Sequence, residues 1–470
     1  MILDLIARHW EILDALLAAI GLVVYAVASH SLHQRRHPSA AIAWVMAILL
    51  VPYIALPLYL AFGARKIVPV RPAPGPQVSP MANASTHATA ARAQQLAQAM
   101  GLPVPVAYEH LVIHADGGES LVALRRLIDG ATKTLEISTF LFGRDSLGNE
   151  IAARLQQRAR EGVRVRLLID GIGIYMGGFP DIAALREAGV EVQCFVSPFR
   201  SPQRGRTNLR NHRKMLIADG RCLWCGGRNL AAEYFEGDAT ALIPRKPWID
   251  LSFDLCGGVA AHAQRQFEED WAFASETRVP EGGDELPPGE PSSGLAQLVA
   301  SGPDRVDDTI HTLLVSACFT SQRRIIAVTP YFVPDPVLLS AMTLAARRGV
   351  EVDLVLPDRS NHRLADIVRH RALRELAAAG ARIWLHPDML HAKAVVVDDE
   401  LAMAGSANLD GRSLFINYEL MVAFYDGKAV RAFARWCGLR RQESVPYVAA
   451  SPGVLRELAE GLLLWLAFQL

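Results

Sequence analysis

The sequence predicts an α/β protein built as two pseudo-symmetric βαβ halves that share one cleft, preceded by a two-helix transmembrane hairpin. Three observations lead there. The segments His212-Arg213-Lys214 with Asp219 and His391-Ala392-Lys393 with Asp398 repeat the spacing HxKxxxxD 179 residues apart, which is a domain-sized period and so a duplication. Helix-like and apolar strand-like stretches alternate through both regions, as βαβ units require. Near the amino end, Ala40 to Phe62 runs 23 residues without a charge, and a bilayer core of about 30 Å needs about 20 helical residues.

Residues 1–67 read as the hairpin, with spans at about 12–30 and 40–62. A cleavable signal is the competing reading of the first span, because Ala26-Val27-Ala28 resembles a cleavage site. Asp4, Glu11 and Asp14 against a single Arg8 give the amino end the wrong charge for it. Arg35 and Arg36 lie in the loop and Arg8, Arg65, Lys66 and Arg71 on the outer flanks, which favours both ends in the cytoplasm. Residues 68–107 follow as a linker, with a Pro-rich spacer from Val68 to Pro80. The halves are expected at 108–275 and 295–450, joined by the polar, Gly- and Pro-rich linker 276–294. Ala159-Arg160-Glu161-Gly162-Val163-Arg164-Val165 is echoed by Ala346-Arg347-Arg348-Gly349-Val350-Glu351-Val352, and apolar strands such as Val163 to Ile169 and Val352 to Leu356 imply sheets covered by helices. Residues 451–470, with Leu462-Leu463-Leu464-Trp465-Leu466, read as an amphipathic tail at a membrane surface.

The composition narrows the function. Lys plus Arg equals Asp plus Glu at 48 each, so no basic field argues for nucleic acid. Six cysteines scattered through 470 residues suggest reduced thiols, and with them a cytosolic catalytic part. Cys222-x-x-Cys225 has no second pair nearby, so neither a zinc site nor another metal site is expected.

On a strand, alternate side chains share a face, so the His and Lys of each motif converge on one small anion. Two imidazoles and two ammoniums suit a phosphodiester: a neutral His attacks phosphorus, a protonated His donates to the departing oxygen, and no cofactor is needed. Lys214, Lys393 and the asparagines Asn229 and Asn408 would hold the non-bridging oxygens. Asp219 and Asp398 sit at an odd offset and begin turns, so they are expected to brace the site, whereas Asp250 and Glu419 are candidates to orient the histidines. The Arg200, Arg204, Arg206, Arg210 and Arg213 cluster could attract anionic headgroups or be a solvated loop.

These residues resemble the phospholipase D superfamily and, within it, bacterial cardiolipin synthases. The resemblance is carried by Arg210 to Lys214, Gly226-Gly227-Arg228-Asn229-Leu230 with Glu233-Tyr234-Phe235, Thr329 to Asp335 and Gly405 to Ser413, together with Arg35-Arg36-His37-Pro38 and Leu58 to Gly63. It implies transfer of a phosphatidyl group from one phosphatidylglycerol to another through a phosphohistidine, giving cardiolipin and glycerol. By the family's pattern His212 would be the nucleophile and His391 the acid, then the base. It further implies a multi-pass protein of the bacterial inner membrane whose partners are phosphatidylglycerol and membrane lipid. Asn361 and Leu385-His386-Pro387 depart from the family's usual residues, in positions that bear on the acceptor. A hydrolase using water, another phosphatidyltransferase, a membrane scaffold without catalysis and a nuclease are the rival functions.

Overall fold

The computed structural model describes residues 2–31, 38–63, 88–196, 208–237, 246–279, 294–450, 452–453, 460 and 463. The Pro-rich spacer and Arg200, Arg204 and Arg206 lie outside them. So does the tail apart from those last positions, of which Glu460 is buried and paired with Arg374 at 2.5 Å.

At the amino end the expected pair of helices is three: α1 (Ile2–Ser31), α2 (Pro38–Leu50) and α3 (Pro52–Phe62). Proline has no N–H and occupies the first turn of α3, while Val51 before it is non-helical at φ −145°, ψ 60°. The uncharged stretch is therefore cut into helices of 13 and 11 residues, each short of a bilayer core by itself. Among the described residues no helix is long and apolar enough to cross a membrane. The three helices pack together through aromatic rings, Tyr59 lying 5.3 Å from both Tyr25 and Trp44.

Part of the expected linker is a helix, α4 (Ala88–Ala99). Its small residues Ala90, Ala93 and Ala97 are buried in the core of the second half, and its Thr89 N–H donates to Glu400. Composition alone hid it, because its apolar face is made of alanines.

The first half then runs β1 (Val106–Ile113), α5 (Gly117–Gly130), β2 (Thr134–Thr139), α6 (Ser146–Arg160), β3 (Arg164–Asp170), α7 (Gly171–Met176), α8 (Ile182–Glu187), β4 (Glu191–Phe195), β5 (Met215–Ala218), β6 (Cys222–Gly226), β7 (Ser252–Gly257) and α9 (Gly258–Ser275). The second runs β8 (Gly294–Ser301), α10 (Thr309–Thr320), β9 (Arg324–Val328), β10 (Phe332–Val333), α11 (Pro336–Arg347), β11 (Glu351–Pro357), α12 (Arg363–Ala378), β12 (Arg382–His386), β13 (Ala394–Val397), β14 (Leu401–Gly405), β15 (Leu409–Asp410), α13 (Gly411–Phe415), β16 (Glu419–Phe424), α14 (Gly427–Gln442) and β17 (Val445–Pro446). Aspartates start several helices by accepting a backbone N–H of the first turn: Asp116 for α5, Asp145 for α6, Asp335 for α11 and Asp426 for α14.

The two halves do not form separate sheets. A single sheet of 15 strands runs β17-β12-β11-β9-β13-β14-β16-β8-β1-β7-β6-β5-β2-β3-β4. Read outward from its centre, β1-β7-β6-β5-β2-β3-β4 mirrors β8-β16-β14-β13-β9-β11-β12. The seam is the antiparallel pair β1 and β8, with Val106 opposite Ala296 and Tyr108 opposite Gly294. Within this sheet only β2, β3, β4 and their counterparts β9, β11, β12 are parallel, so the βαβ expectation holds for the outer strands and the inner ones are antiparallel. One face carries a core continuous across both halves, where α9 (Val259, Phe267) and α14 (Val430, Phe433) pack on Phe253 and Phe424. On the other face each half has its own core.

The cysteine expectation is corrected. Cys222 on β6 and Cys256 on β7 stand directly opposite in the ladder with Cα atoms 4.1 Å apart and form a disulfide. They are 34 residues apart in the chain, and only strand register reveals them as neighbours. Cys194, Cys225, Cys318 and Cys437 are thiols outside that disulfide.

Candidate active site

Each His-Lys segment precedes an inner strand: His212 leads into β5 and His391 into β13. Because β5 runs antiparallel to β2 and β13 to β9, both histidines lie at the carboxyl ends of those strands. There the halves are sewn crosswise. The His212 N–H donates to Tyr418 O at 2.9 Å, next to Glu419, and the His391 N–H donates to Ile249 O at 2.7 Å, next to Asp250. Each His-Lys segment is thereby tied to the carboxylate of the opposite half.

The side chains follow. Glu419 lies 2.9 Å from His212 Nδ1, and Asp250 lies 2.7 Å from His391 Nδ1. Both carboxylates are fully buried and engage Nδ1, so Nε2 is the nitrogen not held by a carboxylate. The support differs between the copies. Ser406 Oγ donates to Glu419 at 2.5 Å and accepts from Leu420 N–H, whereas Gly227 holds the equivalent place beside Asp250. A Cβ there would sit 2.2 Å from the Asp250 carboxylate, so the shorter acid is matched to glycine and the longer one to serine.

Lys214 Nζ donates to His212 O at 2.8 Å, and Lys393 Nζ contacts the His391 ring at 2.8 Å from Nδ1 and 3.0 Å from Nε2. Burial pushes Lys214 down to about 7, partly offset by Glu419 and reinforced by the charge of Lys393. Lys393 is pushed down to about 8, again by burial. Burial lowers His212 to about 4 against the pull of Glu419, and His391 to about 3 with the charge of Lys393 adding to it. Burial works to raise Asp250 and Glu419, but Lys393 and His391 outweigh it for the first, and His212 and Lys214 for the second, so both stay below the usual carboxylate range. These shifts favour neutral imidazoles, ionised acids and lysines close to losing their protons. An entering phosphate anion favours the charged form of each nitrogen base.

Aromatic rings form the walls. Phe140 lies 5.3 Å from His212, while Tyr234 and Trp248 lie 5.3 and 5.2 Å from His391, with Tyr331 at 6.5 Å. Sequence reading gave these no role, although Thr139-Phe140 and Thr329-Pro330-Tyr331 recur after the equivalent strands β2 and β9. Both threonine hydroxyls donate two residues on, to Leu141 O and Tyr331 O. Asn229 reaches the site indirectly, donating to Tyr234 Oη at 2.7 Å. Asn408 is buried, and its Oδ1 has no hydrogen-bond partner among the described residues.

Asp219 and Asp398 do not join the pocket. Asp219 accepts from the N–H groups of Thr132, Lys133 and Thr134, and Asp398 from those of Gln322, Arg323 and Arg324. Both have φ 53° and close the hairpin that follows each His-Lys strand against the start of its neighbour. Arg210 and Arg213 are buried: Arg210 faces Asp170 and Arg213 pairs with Asp270 while donating to Glu419 O. Among the described residues no group of three or more His, Cys, Asp or Glu side chains is arranged to hold a metal ion.

The chain is similar to known proteins along most of its length. Residues 124–271 and 315–438 match a family model described as cardiolipin synthase, PLD-like domain, and residues 19–63 match a model described as phospholipase D-nuclease N-terminal. Cardiolipin synthase A of Pseudomonas aeruginosa is 32% identical over 436 residues, covering 88% of this chain and 86% of that protein. Cardiolipin synthase A of Pseudomonas entomophila is 33% identical over 438 residues, covering 89% of each. The fold is shared with the crystal structure of phosphatidylserine synthase from Haemophilus influenzae, at TM-score 0.59 and 15% identity over 82% of this chain and all of that one. With a family model covering more than half of its length and relatives above 30% identity along most of it, this chain belongs to the cardiolipin synthase family of phospholipase D-like proteins.

Proposed function

We propose that the chain is a cardiolipin synthase that joins two phosphatidylglycerol molecules. One observation carries the reading: two His-Lys sets meet in one pocket, each imidazole held through Nδ1 by a carboxylate from the other half. His212 Nε2 attacks the phosphorus of the first lipid while His391 protonates the departing glycerol oxygen. His391 then takes the proton of a headgroup hydroxyl of the second lipid, whose oxygen attacks phosphorus and releases His212. Lys214 and Lys393 stabilise the non-bridging oxygens, with Asn408, and Asn229 acting through Tyr234. The relatives named cardiolipin synthase A support this choice of donor and acceptor. Asp219 and Asp398 serve as braces.

We further propose that the amino-terminal region anchors the chain in the bacterial inner membrane as a multi-pass hairpin. The match of residues 19–63 and the outward Ile20, Val23, Ile42, Met46, Ile54 and Leu58 on α1 to α3 support it. The charge count favours a cytoplasmic catalytic body, whereas the Cys222–Cys256 disulfide favours an oxidising side. Labelling of cysteines introduced at positions 32–37 and after 64 decides between them.

The reaction is tested by incubating the full-length protein and its His212→Ala variant with phosphatidylglycerol vesicles and identifying products by mass spectrometry. Cardiolipin and glycerol from the native chain alone is the expected result. Phosphatidic acid with glycerol would assign a hydrolase instead.

A further inference from the structure

Two surface segments outside the reaction machinery adjoin the aromatic rings that flank the two histidines. In the first half, α7 begins where β3 ends and packs against the backbone of Phe140, the ring beside His212: a Cβ on Gly173 would lie 1.5 Å from Phe140 O. Tyr175 and Met176 at its end and Phe179 just beyond are 42%, 59% and 56% exposed. The Tyr175 and Phe179 rings pack edge to face at 4.9 Å. Exposed Arg144 adjoins them and donates its N–H to Gly177 O.

The second half has the counterpart after β11. Tyr331, which faces His391, packs on His362 at 5.2 Å and donates to Asn361 Oδ1 at 2.5 Å. On the following turns of α12, Leu364 and Ile367 share one face and are 46% and 42% exposed. Arg359 and Arg363 are exposed beside them and outnumber the exposed Asp358.

Isolated exposed apolar residues such as Val122 are ordinary. These differ because they cluster, because they recur at equivalent places in both halves, and because each cluster is one ring away from a reacting histidine. A lipid surface suits both clusters while offering headgroups to the histidines beside them, and the flanking arginines complement anionic headgroups.

We infer that this pair of clusters is an interfacial docking surface that seats the catalytic body on an anionic phospholipid bilayer, so that both lipids enter the pocket from the membrane plane with their acyl chains still in it. The inference rests on the lipid-transfer reading above and adds a membrane contact separate from the amino-terminal helices.

To test it, an environment-sensitive fluorescent amino acid is placed at position 176, 364 or, as control, 122 of the full-length chain. The protein is mixed with phosphatidylglycerol–phosphatidylcholine vesicles carrying a spin-labelled quencher near the headgroups. Emission at the two cluster positions should fall by about half, with little loss at the control. No quenching at the clusters, or equal quenching at all three positions, overturns the inference. In parallel, for a Tyr175→Ser, Phe179→Ser double variant, the ratio of turnover on vesicles to turnover on dispersed dihexanoyl phosphatidylglycerol should fall about tenfold, because two side chains lose an apolar environment. An unchanged ratio likewise overturns it. If the native chain turns over neither lipid form, the synthase reading fails while the quenching still decides the docking.

Discussion

At the scale of residues the site is a set of nitrogen bases held in the dry. In the proposed mechanism Lys214 at about 7 and Lys393 at about 8 carry charge to stabilise phosphate oxygens, so kcat/KM, which reports the free enzyme, should decline as pH rises through about 7 to 8. A pH-rate profile with constant kcat/KM up to pH 9 would contradict this. Stability moves the other way. Between the folded value and the ordinary 10.5 the unfolded chain holds more lysine protons, so stability contributed by these groups rises with pH across that window. For His212 and His391, lowered to about 4 and 3 from 6.5, the unfolded chain binds protons first as pH falls, so stability drops below about 6.5. Alkaline loss of activity without loss of fold, followed by circular dichroism, separates the two effects.

At the scale of elements, short devices hold the reacting strands. Asp219 ties the β5 to β6 turn to the start of β2 through three backbone N–H groups, and Asp398 does the same for β13 and β9. Asp219→Ala should lower unfolding free energy by about 1 to 3 kcal/mol in urea titration while the folded protein keeps kcat within about threefold. A collapse of kcat with unchanged stability would make Asp219 part of the chemistry. The cross-strand disulfide gives a simpler count: the denatured, unreduced chain should show four reactive thiols and the reduced chain six. Closing a loop of 34 residues, it should contribute about 3 to 4 kcal/mol, measurable with Cys222→Ser, Cys256→Ser.

At the scale of the whole molecule, the seam and the crossing make the two halves one catalytic unit. β1 pairs with β8, α4 from the region before the first half packs in the second, and each histidine borrows its carboxylate from across the seam. A protease site introduced between residues 280 and 293 should therefore give, after cleavage, a protein that elutes as one species and still turns over lipid. The fragments produced separately should be inactive. Separation of the cleaved chain during gel filtration would show that the seam and crossed contacts do not hold the halves.

The sequence by itself determined the duplication, the chemistry and the two carboxylates. A His-x-Lys strand presents both side chains on one face wherever it is placed, and two copies in matching contexts report a repeated domain. Asp219 and Asp398 were also legible as braces, since their odd offset from the lysines turns them off that face. The sequence did not determine which carboxylate serves which histidine, because parallel bridges at Asn211–Tyr418 and Ile249–Leu390 join segments about 200 and 140 residues apart, respectively. Nor did it determine that two sheets fuse at β1 and β8, that Cys222 faces Cys256, that alanines make α4 a core helix, or that Pro52 divides the long apolar stretch. Local pattern fixes the face and the period of a strand or helix. Register across a ladder, pairing between halves and the packing of small residues are decided by which segments exclude water together, and only the tertiary structure decides that.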